Sequence, residues 1–238
     1  MNISIVTGGY GGYGRWLPQW AGYVAALDPA PAAAVAVLGY RHGATSADVR
    51  AARRILPMLQ VVKASRARTM GSVRNVAVAA TRTEWVQWLS IDDGILPDAI
   101  GALTRVADQA DWICTGWLTR GLGHAEMRHR SPLPADMARR RGRGFVIGHS
   151  PFRRWIWERS HYPAHDYPNS PFLAAAVEAG ACFAKIERPI TIYLRRPDSH
   201  SRTVLQGPNR SMTEKRKAIM YKRDTQRRIV AYYRGVSQ

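Results

Sequence analysis

The sequence predicts an α/β protein with a mostly parallel sheet flanked by helices. Three observations carry this. Strand-like and helix-like segments alternate through the first half of the chain. The first strand candidates, 3–7 and 33–40, are apolar, β-rich runs, in keeping with strands covered on both faces. The candidate at 85–91 stops at the acidic pair Asp92-Asp93, and ligands of parallel sheets bind beyond the carboxyl ends of strands.

The elements follow in order. Residues 3–7 form a β-rich apolar run without the basic start and long apolar stretch of a signal peptide. Trp16, Leu17, Trp20, Val24 and Leu27 recur at helical spacing, and residues 33–40 read as the next strand. A helix is predicted over 49–59, a strand over 60–62, a helix over 72–81 and a strand over 85–91. A helix over 97–109 and a strand over 111–118 follow. Residues 119–144 are rich in Gly, Pro, Arg and His and read as a long functional loop carrying the basic run 139–143. Order resumes over 145–157. A helix over 171–179 ends at Gly180, a suitable C-cap, and strands follow at 183–186 and 190–194. Residues 211–234 read as a basic helix. Its apolar stripe is Ala218, Tyr221, Ile229 and Tyr232, with Thr225 in the gap.

Composition narrows the class. With 238 residues, 46% of them hydrophobic, the chain suits one large domain or one domain with an appendage, and wholesale disorder is excluded. No apolar run reaches the roughly 18–20 residues of a membrane helix, so a cytoplasmic protein is expected. Cys114 and Cys182 are the only cysteines, too few for a disulfide framework or a Cys-rich zinc site. Lys plus Arg is 35 against 17 acids, a formal net charge of +18. Such a field draws nucleic acid, anionic membranes or acidic substrates, although a G- and C-rich coding bias also produces Arg-rich chains.

Five motifs carry chemistry, and each has a plainer alternative. Adjacent carboxylates at Asp92-Asp93 raise one another's pKa, and Mg²⁺ or Mn²⁺ relieves that while bridging to phosphate oxygens. The alternative is a turn in which Asp93 caps the next helix. The glycine-rich stretch from Thr7 to Gly14 lets backbone approach a ligand, with Tyr10 or Tyr13 placed to stack on a base. It has neither dinucleotide-fingerprint nor P-loop spacing, and a flexible turn is the alternative. Arg74 and Asn75 open an otherwise apolar helix, where Arg74 would meet a phosphate or an acid of the site, or form a structural ion pair. Asp166, in His165-Asp166-Tyr167, is either a general base or a helix cap. His200 is a metal ligand, a phosphate contact or a solvated loop histidine.

Taken together and in this order, the pieces resemble the GT-A fold glycosyltransferases of the family 2 type, from Ile3 to about Arg202. Ile3-Ser4-Ile5-Val6-Thr7 is similar to the family's opening strand and nucleotide loop. Gly71-Ser72-Val73-Arg74-Asn75 resembles its Gly-x-x-Arg-Asn segment. Trp88-Leu89-Ser90-Ile91-Asp92-Asp93-Gly94-Ile95-Leu96-Pro97 resembles its acidic metal motif. Ala164-His165-Asp166-Tyr167 resembles its catalytic-base region, and Tyr193-Leu194-Arg195 with His200 and Ser201 its closing segment. The sequence departs from the family where Ser90 replaces the first acid. It departs again where Gly39-Tyr40-Arg41-His42-Gly43 replaces the acidic pair that reads the base.

The resemblance implies a GT-A domain over 1–202, with a nucleotide-sugar half about 1–115 and an acceptor half about 116–202, then a basic helical extension over 203–238. It implies an inverting, metal-dependent, hexosyltransferase-like transfer from a nucleoside-diphosphate sugar. Asp166 would be the base. Thr7, Gly8, Gly9, Tyr10, Arg41, Arg74, Asn75 and Asp92 would hold the donor, and Asp92, Asp93 and His200 the Mn²⁺ or Mg²⁺. With net +18 and no membrane helix, the expected acceptor is a hydroxymethylated base in DNA, as for virus-encoded modifying enzymes working in host cytoplasm. Arg139, Arg140, Arg141, Arg143 and His165 would contact that acceptor, with Trp117, Trp155 and Trp157 as stacking or core residues. The alternatives are a protein, saccharide or small-molecule acceptor, an anionic lipid surface, or an idle nucleic-acid binder on the same scaffold.

Overall fold

In a computed structural model, residues 1–121, 124–139, 149–196 and 212–236 are described. The first half runs β1 (Ile3–Gly9), α1 (Leu17–Ala25), β2 (Ala33–Leu38), α2 (Ser46–Ile55), β3 (Leu59–Lys63), α3 (Met70–Ala79) and β4 (Trp85–Trp88). It continues with β5 (Gly94–Ile95), α4 (Ala99–Thr104), β6 (Trp112–Gly121), β7 (His124–His129) and α5 (Pro134–Arg139). The chain ends with β8 (Phe152–Arg153), α6 (Arg154–Arg159), α7 (Asn169–Glu178), β9 (Phe183–Leu194) and α8 (Met212–Val236). The strands form one sheet in the order β3-β2-β1-β4-β8-β6-β9-β5, with β7 on β6.

The predicted α/β fold is the observed one. The first half is parallel: β1 pairs with β2 and β4, and β2 with β3. The second half is mixed. β8 runs antiparallel to β4 and β6, β5 antiparallel to β9, and β6 parallel to β9. Alternate residues of β1 and β2 enter opposite cores, because successive strand side chains point to opposite faces. Ile3, Ile5, Ala34 and Ala36 pack with Trp20 and Leu103 on one side. Val6, Val35 and Val37 pack with Trp88, Phe152 and Phe172 on the other.

Several elements differ from expectation. Two helices start three and two residues earlier than predicted, because Thr45 and Thr69 cap them. The Thr45 side chain accepts from the Asp48 N–H and the Asp48 carboxylate from the Thr45 N–H, and Thr69 and Ser72 repeat the exchange. The predicted 97–109 helix breaks into α4 and a 3-10 turn at Ala107–Gln109. Residues 119–144 are not simply a loop: β6 runs to Gly121 and pairs antiparallel with β7, and α5 follows. The strands predicted at 183–186 and 190–194 form one strand, β9. Pro189 faces Gly116 where the register against β6 shifts, the kind of irregularity at which a strand tolerates proline. The basic terminal helix α8 packs on α5 and α7. It buries Thr225 and Ile229, and Arg228 clasps Glu178 with two nitrogens, at 2.7 and 2.5 Å.

Candidate nucleotide-sugar site

The acidic turn follows β4. Asp93 is 3% exposed, and its N–H donates to the Ser90 carbonyl at 3.0 Å. Its Oδ1 accepts the Leu194 N–H at 3.0 Å, which ties the turn to the end of β9. Its Oδ2 lies 3.2 Å from His149 Nε2, and His149 is 5% exposed. The same Nε2 is 2.9 Å from Ser90 Oγ. Ser90 is thus held, through one imidazole, to Asp93. Ser90 and Asp93 share Nε2, while Nδ1 is buried and has no partner among the described residues. A serine nucleophile relay uses the two ring nitrogens separately, whereas here one nitrogen clasps both side chains.

Asp92 has the opposite character. It is half-buried, and burial first, then the neighbouring Asp93 charge, pushes its carboxyl up to about 7, with Arg196 and His149 acting against the rise. A carboxylate so placed is short of positive charge, and its hard oxygens suit Mg²⁺ or Mn²⁺. Among the described residues no cluster of three His, Cys, Asp or Glu side chains forms a ready ligand set. Of the three residues expected to hold metal, Asp93 has both oxygens engaged and His200 lies outside the described residues.

The glycine-rich stretch packs beside this turn, because β1 and β4 are parallel neighbours. Gly11 and Gly12 adopt φ of 59° and 95°, and their N–H groups donate to the Tyr40 and Arg41 carbonyls at 3.3 and 2.8 Å. Thr7 and Gly8 are not part of this open loop. β1 extends to Gly9, Thr7 is fully buried, and a Cβ on Gly8 would meet Val73 at 2.1 Å and Trp88 at 3.0 Å. Gly8 packs closely under α3. Tyr10 reaches across the cleft, and its hydroxyl lies 3.4 Å from Asp166 Oδ1; burial, with Asp166, raises its pKa. Arg41 is exposed at φ 49°, and its guanidinium and that of Arg68 lie 5.2 and 5.0 Å from the centre of the Tyr40 ring. Tyr40, Arg41 and Arg68 thus form a cationic, aromatic patch.

Arg74 and Asn75 take other positions than those expected. Arg74 is 2% exposed, lying 4.4 Å from the Trp88 ring centre and 5.3 Å from that of Tyr162, and it donates to Asn169. Burial lowers its pKa. It forms no ion pair among the described residues, because two rings and an amide fill its surroundings. Asn75 Oδ1 accepts from Trp157 Nε1 and the Tyr162 N–H, both at 2.9 Å, and its Nδ2 donates to the Tyr162 carbonyl at 2.8 Å. Both residues fasten the 157–169 segment onto α3.

That segment delivers Asp166. The Gly71 N–H donates to the His165 carbonyl at 3.1 Å, and a Cβ on Gly71 would stand 1.8 Å from the Pro163 carbonyl oxygen. The Met70 N–H, at the start of α3, donates to Asp166 Oδ1 at 3.0 Å. Asp166 is exposed, facing Tyr10. His165 turns the other way and stacks on Tyr221 of α8, ring centres 4.2 Å apart. Sequence reasoning missed three contributors: His149, Tyr221 and Arg196. Arg196 lies 3.6 Å over the Trp16 ring, donates to Gln19 at 2.9 Å, and acts on the Asp92 charge. Of the basic run, Arg139 ends α5, while Arg140, Arg141 and Arg143 lie outside the described residues.

Sheet and cleft together define an α/β fold of the GT-A-like class. The same fold is found in S. aureus TarS. The TarS 1–349 crystal structure superposes with TM-score 0.65 at 15% identity, over 82% of this chain and 60% of that one. Its complex with UDP-GlcNAc gives TM-score 0.65 at 14% identity over 84% of this chain, and its complex with UDP gives 0.61. The chain therefore spans about three fifths of those structures, 60% and 61% of their length. No protein-family model and no curated protein matches the sequence. No helix among the described residues is long and apolar enough to cross a membrane.

Proposed function

We propose that this protein transfers a sugar from a nucleoside-diphosphate sugar to an acceptor hydroxyl, with inversion at the anomeric carbon. The observation that carries the reading is two carboxylates, Asp92 just beyond β4 and Asp166 in the loop before α7, which meets Tyr10 just beyond the parallel neighbour β1. Asp92 calls for a cation, while Asp166 is exposed beside Tyr10. Solved structures of the same fold hold UDP and UDP-GlcNAc, which supports a nucleotide sugar as donor.

Asp92 is the residue to hold Mg²⁺ or Mn²⁺, which when bound supplies positive charge to the departing diphosphate. The Met70 N–H and the Tyr10 hydroxyl both engage Oδ1 of Asp166 and so fix the carboxylate's orientation. Among the described residues no donor occupies Oδ2, which is the oxygen to take the acceptor's proton as the hydroxyl attacks in line. Arg196, beside Asp92, adds charge facing the diphosphate. The Tyr40–Arg41–Arg68 patch is the contact for the base or its ribose.

A saccharide hydroxyl is the favoured acceptor. The three tryptophans read as stacking partners for a flipped base are engaged elsewhere. Trp117 stacks on His129 at 4.8 Å, Trp155 donates to Asp111 at 3.0 Å, and Trp157 donates to Asn75 at 2.9 Å. The net charge of +18 alone favours the second reading, a hydroxylated base in DNA. Calorimetric titration with nucleoside-diphosphate sugars, with and without Mn²⁺, tests the donor. Binding that needs the cation and is lost in Asp92→Ala is expected, and binding of DNA but of no nucleotide sugar would refute it. Mass spectrometry of saccharide and hydroxymethylated DNA acceptors after incubation separates the two acceptor readings.

A further inference from the structure

We infer that Tyr221, on α8, is a positioning residue for Asp166, so that the C-terminal helix is part of the catalytic half of the fold. The inference rests on the reading of Asp166 as the base.

Asp166 lies between α6 and α7 in a stretch without helix or strand. Such a stretch holds a side chain in place only if it is braced on more than one side. On one side the brace is α3: Gly71 N–H to the His165 carbonyl at 3.1 Å and Met70 N–H to Asp166 Oδ1 at 3.0 Å. Within the stretch, the Tyr167 N–H donates to His165 Nδ1 at 3.0 Å, which fixes the imidazole relative to its own backbone. On the other side the brace is Tyr221. Its ring lies nearly parallel to the His165 ring, 4.2 Å between centres and 16° between planes, and 6.3 Å from the Tyr167 ring. Neighbouring residues 165 and 166 thus face opposite ways, one into α8 and one into the cleft. The loop is wedged between α3 and α8, and moving its α8 side moves Asp166.

Tyr221 can play this part because α8 is anchored without it. Thr225 and Ile229 are buried, Gln226 donates to the Met137 carbonyl at 2.9 Å, and Arg228 holds Glu178. The helix is a fixed wall, and Tyr221 is the side chain by which that wall meets the loop. The contact is ring to ring, so a phenyl group serves as well as a phenol.

The test uses the full chain with Tyr221→Ala and Tyr221→Phe. In Tyr221→Ala, kcat for transfer falls ten- to hundredfold while the donor KM and the thermal midpoint hold, since displacement of a reacting group by about 1 Å costs on the order of a hundredfold. Tyr221→Phe keeps wild-type kcat. By NMR, the Met70 amide resonance in Tyr221→Ala shifts toward its position in Asp166→Asn, and in Tyr221→Phe it stays in place. Should the alanine variant fail to fold, Tyr221→Leu keeps the apolar volume without the flat face and is read the same way. Wild-type kcat with an unmoved Met70 resonance in the alanine or leucine variant overturns the inference, as does a phenylalanine variant as impaired as the alanine one. If the wild type transfers no sugar at all, the proposed function fails. The Met70 resonance then still decides whether Tyr221 positions Asp166.

Discussion

Replacing Asp92 with Asn should stabilise the free protein while abolishing its cation affinity. The Asp92 carboxyl is raised from 3.8 to about 7, chiefly by burial and then by Asp93. Its folded value lies above its unfolded one, so the folded state holds the extra proton between those two pH values. Stability therefore falls as pH rises through that window, and the loss is complete above about pH 7. At about 1.4 kcal/mol per pK unit, the full displacement corresponds to about 4 kcal/mol. Solvent reaching the half-buried side chain brings the expectation to about 2 kcal/mol. Asparagine has no charge to bury, so it should match the wild type near pH 4 and exceed it by about that amount near pH 8. Urea unfolding at both pH values measures this through the midpoint at constant m. Added Mn²⁺ with a nucleoside diphosphate should stabilise the wild type but not the variant. A variant no more stable than wild type at pH 8 would show that Asp92 carries no unmet charge, and the cation argument would fall with it.

Further outcomes follow from named contacts. Asp166→Asn should reduce transfer by about a hundredfold to ten-thousandfold, the usual range for a general base, with donor binding by calorimetry unchanged. Equal activity would remove Asp166 from the mechanism. His149→Ala leaves Asp93 Oδ2 and Ser90 Oγ without their partner, and should cost about 1–3 kcal/mol in urea unfolding. Gly71→Ala puts a methyl group 1.8 Å from the Pro163 carbonyl oxygen. It should push the Asp166 loop off α3, lowering the unfolding midpoint and kcat together. A fully active Gly71→Ala would mean that this packing is not needed.

The parts of the fold that were legible are those in which one physical signal dominates. β1, β2 and β4 are buried on both faces and read as short, mostly apolar, β-rich runs. β5 and β8 are two residues each, too short for any periodicity, and β7 is a polar strand with Met127 exposed that reads as loop. The position of Asp92 just beyond β4 was legible because the apolar run of that strand stops at an acidic pair. The surroundings of Arg74 were not legible: two rings and the Asn169 amide flank its guanidinium, and the sequence around it shows neither Trp88 nor Tyr162 as its neighbours. His149, Arg196 and Tyr221 reach the site from distant segments, and a lone histidine, arginine or tyrosine carries no spacing to read. The Ser90 departure became interpretable only with His149 in view, since the imidazole holds the hydroxyl and Asp93 together.

The most direct measurement of the central claim is the anomeric configuration of the product, read by NMR after incubation of the full chain with α-linked nucleoside-diphosphate sugars, Mn²⁺ and a panel of saccharide acceptors. The account predicts a β-linked product that disappears in both Asp92→Asn and Asp166→Asn. A product that retains the donor's configuration would contradict the role given to Asp166. Release of no sugar from any donor would contradict the assignment of the cleft as a nucleotide-sugar site.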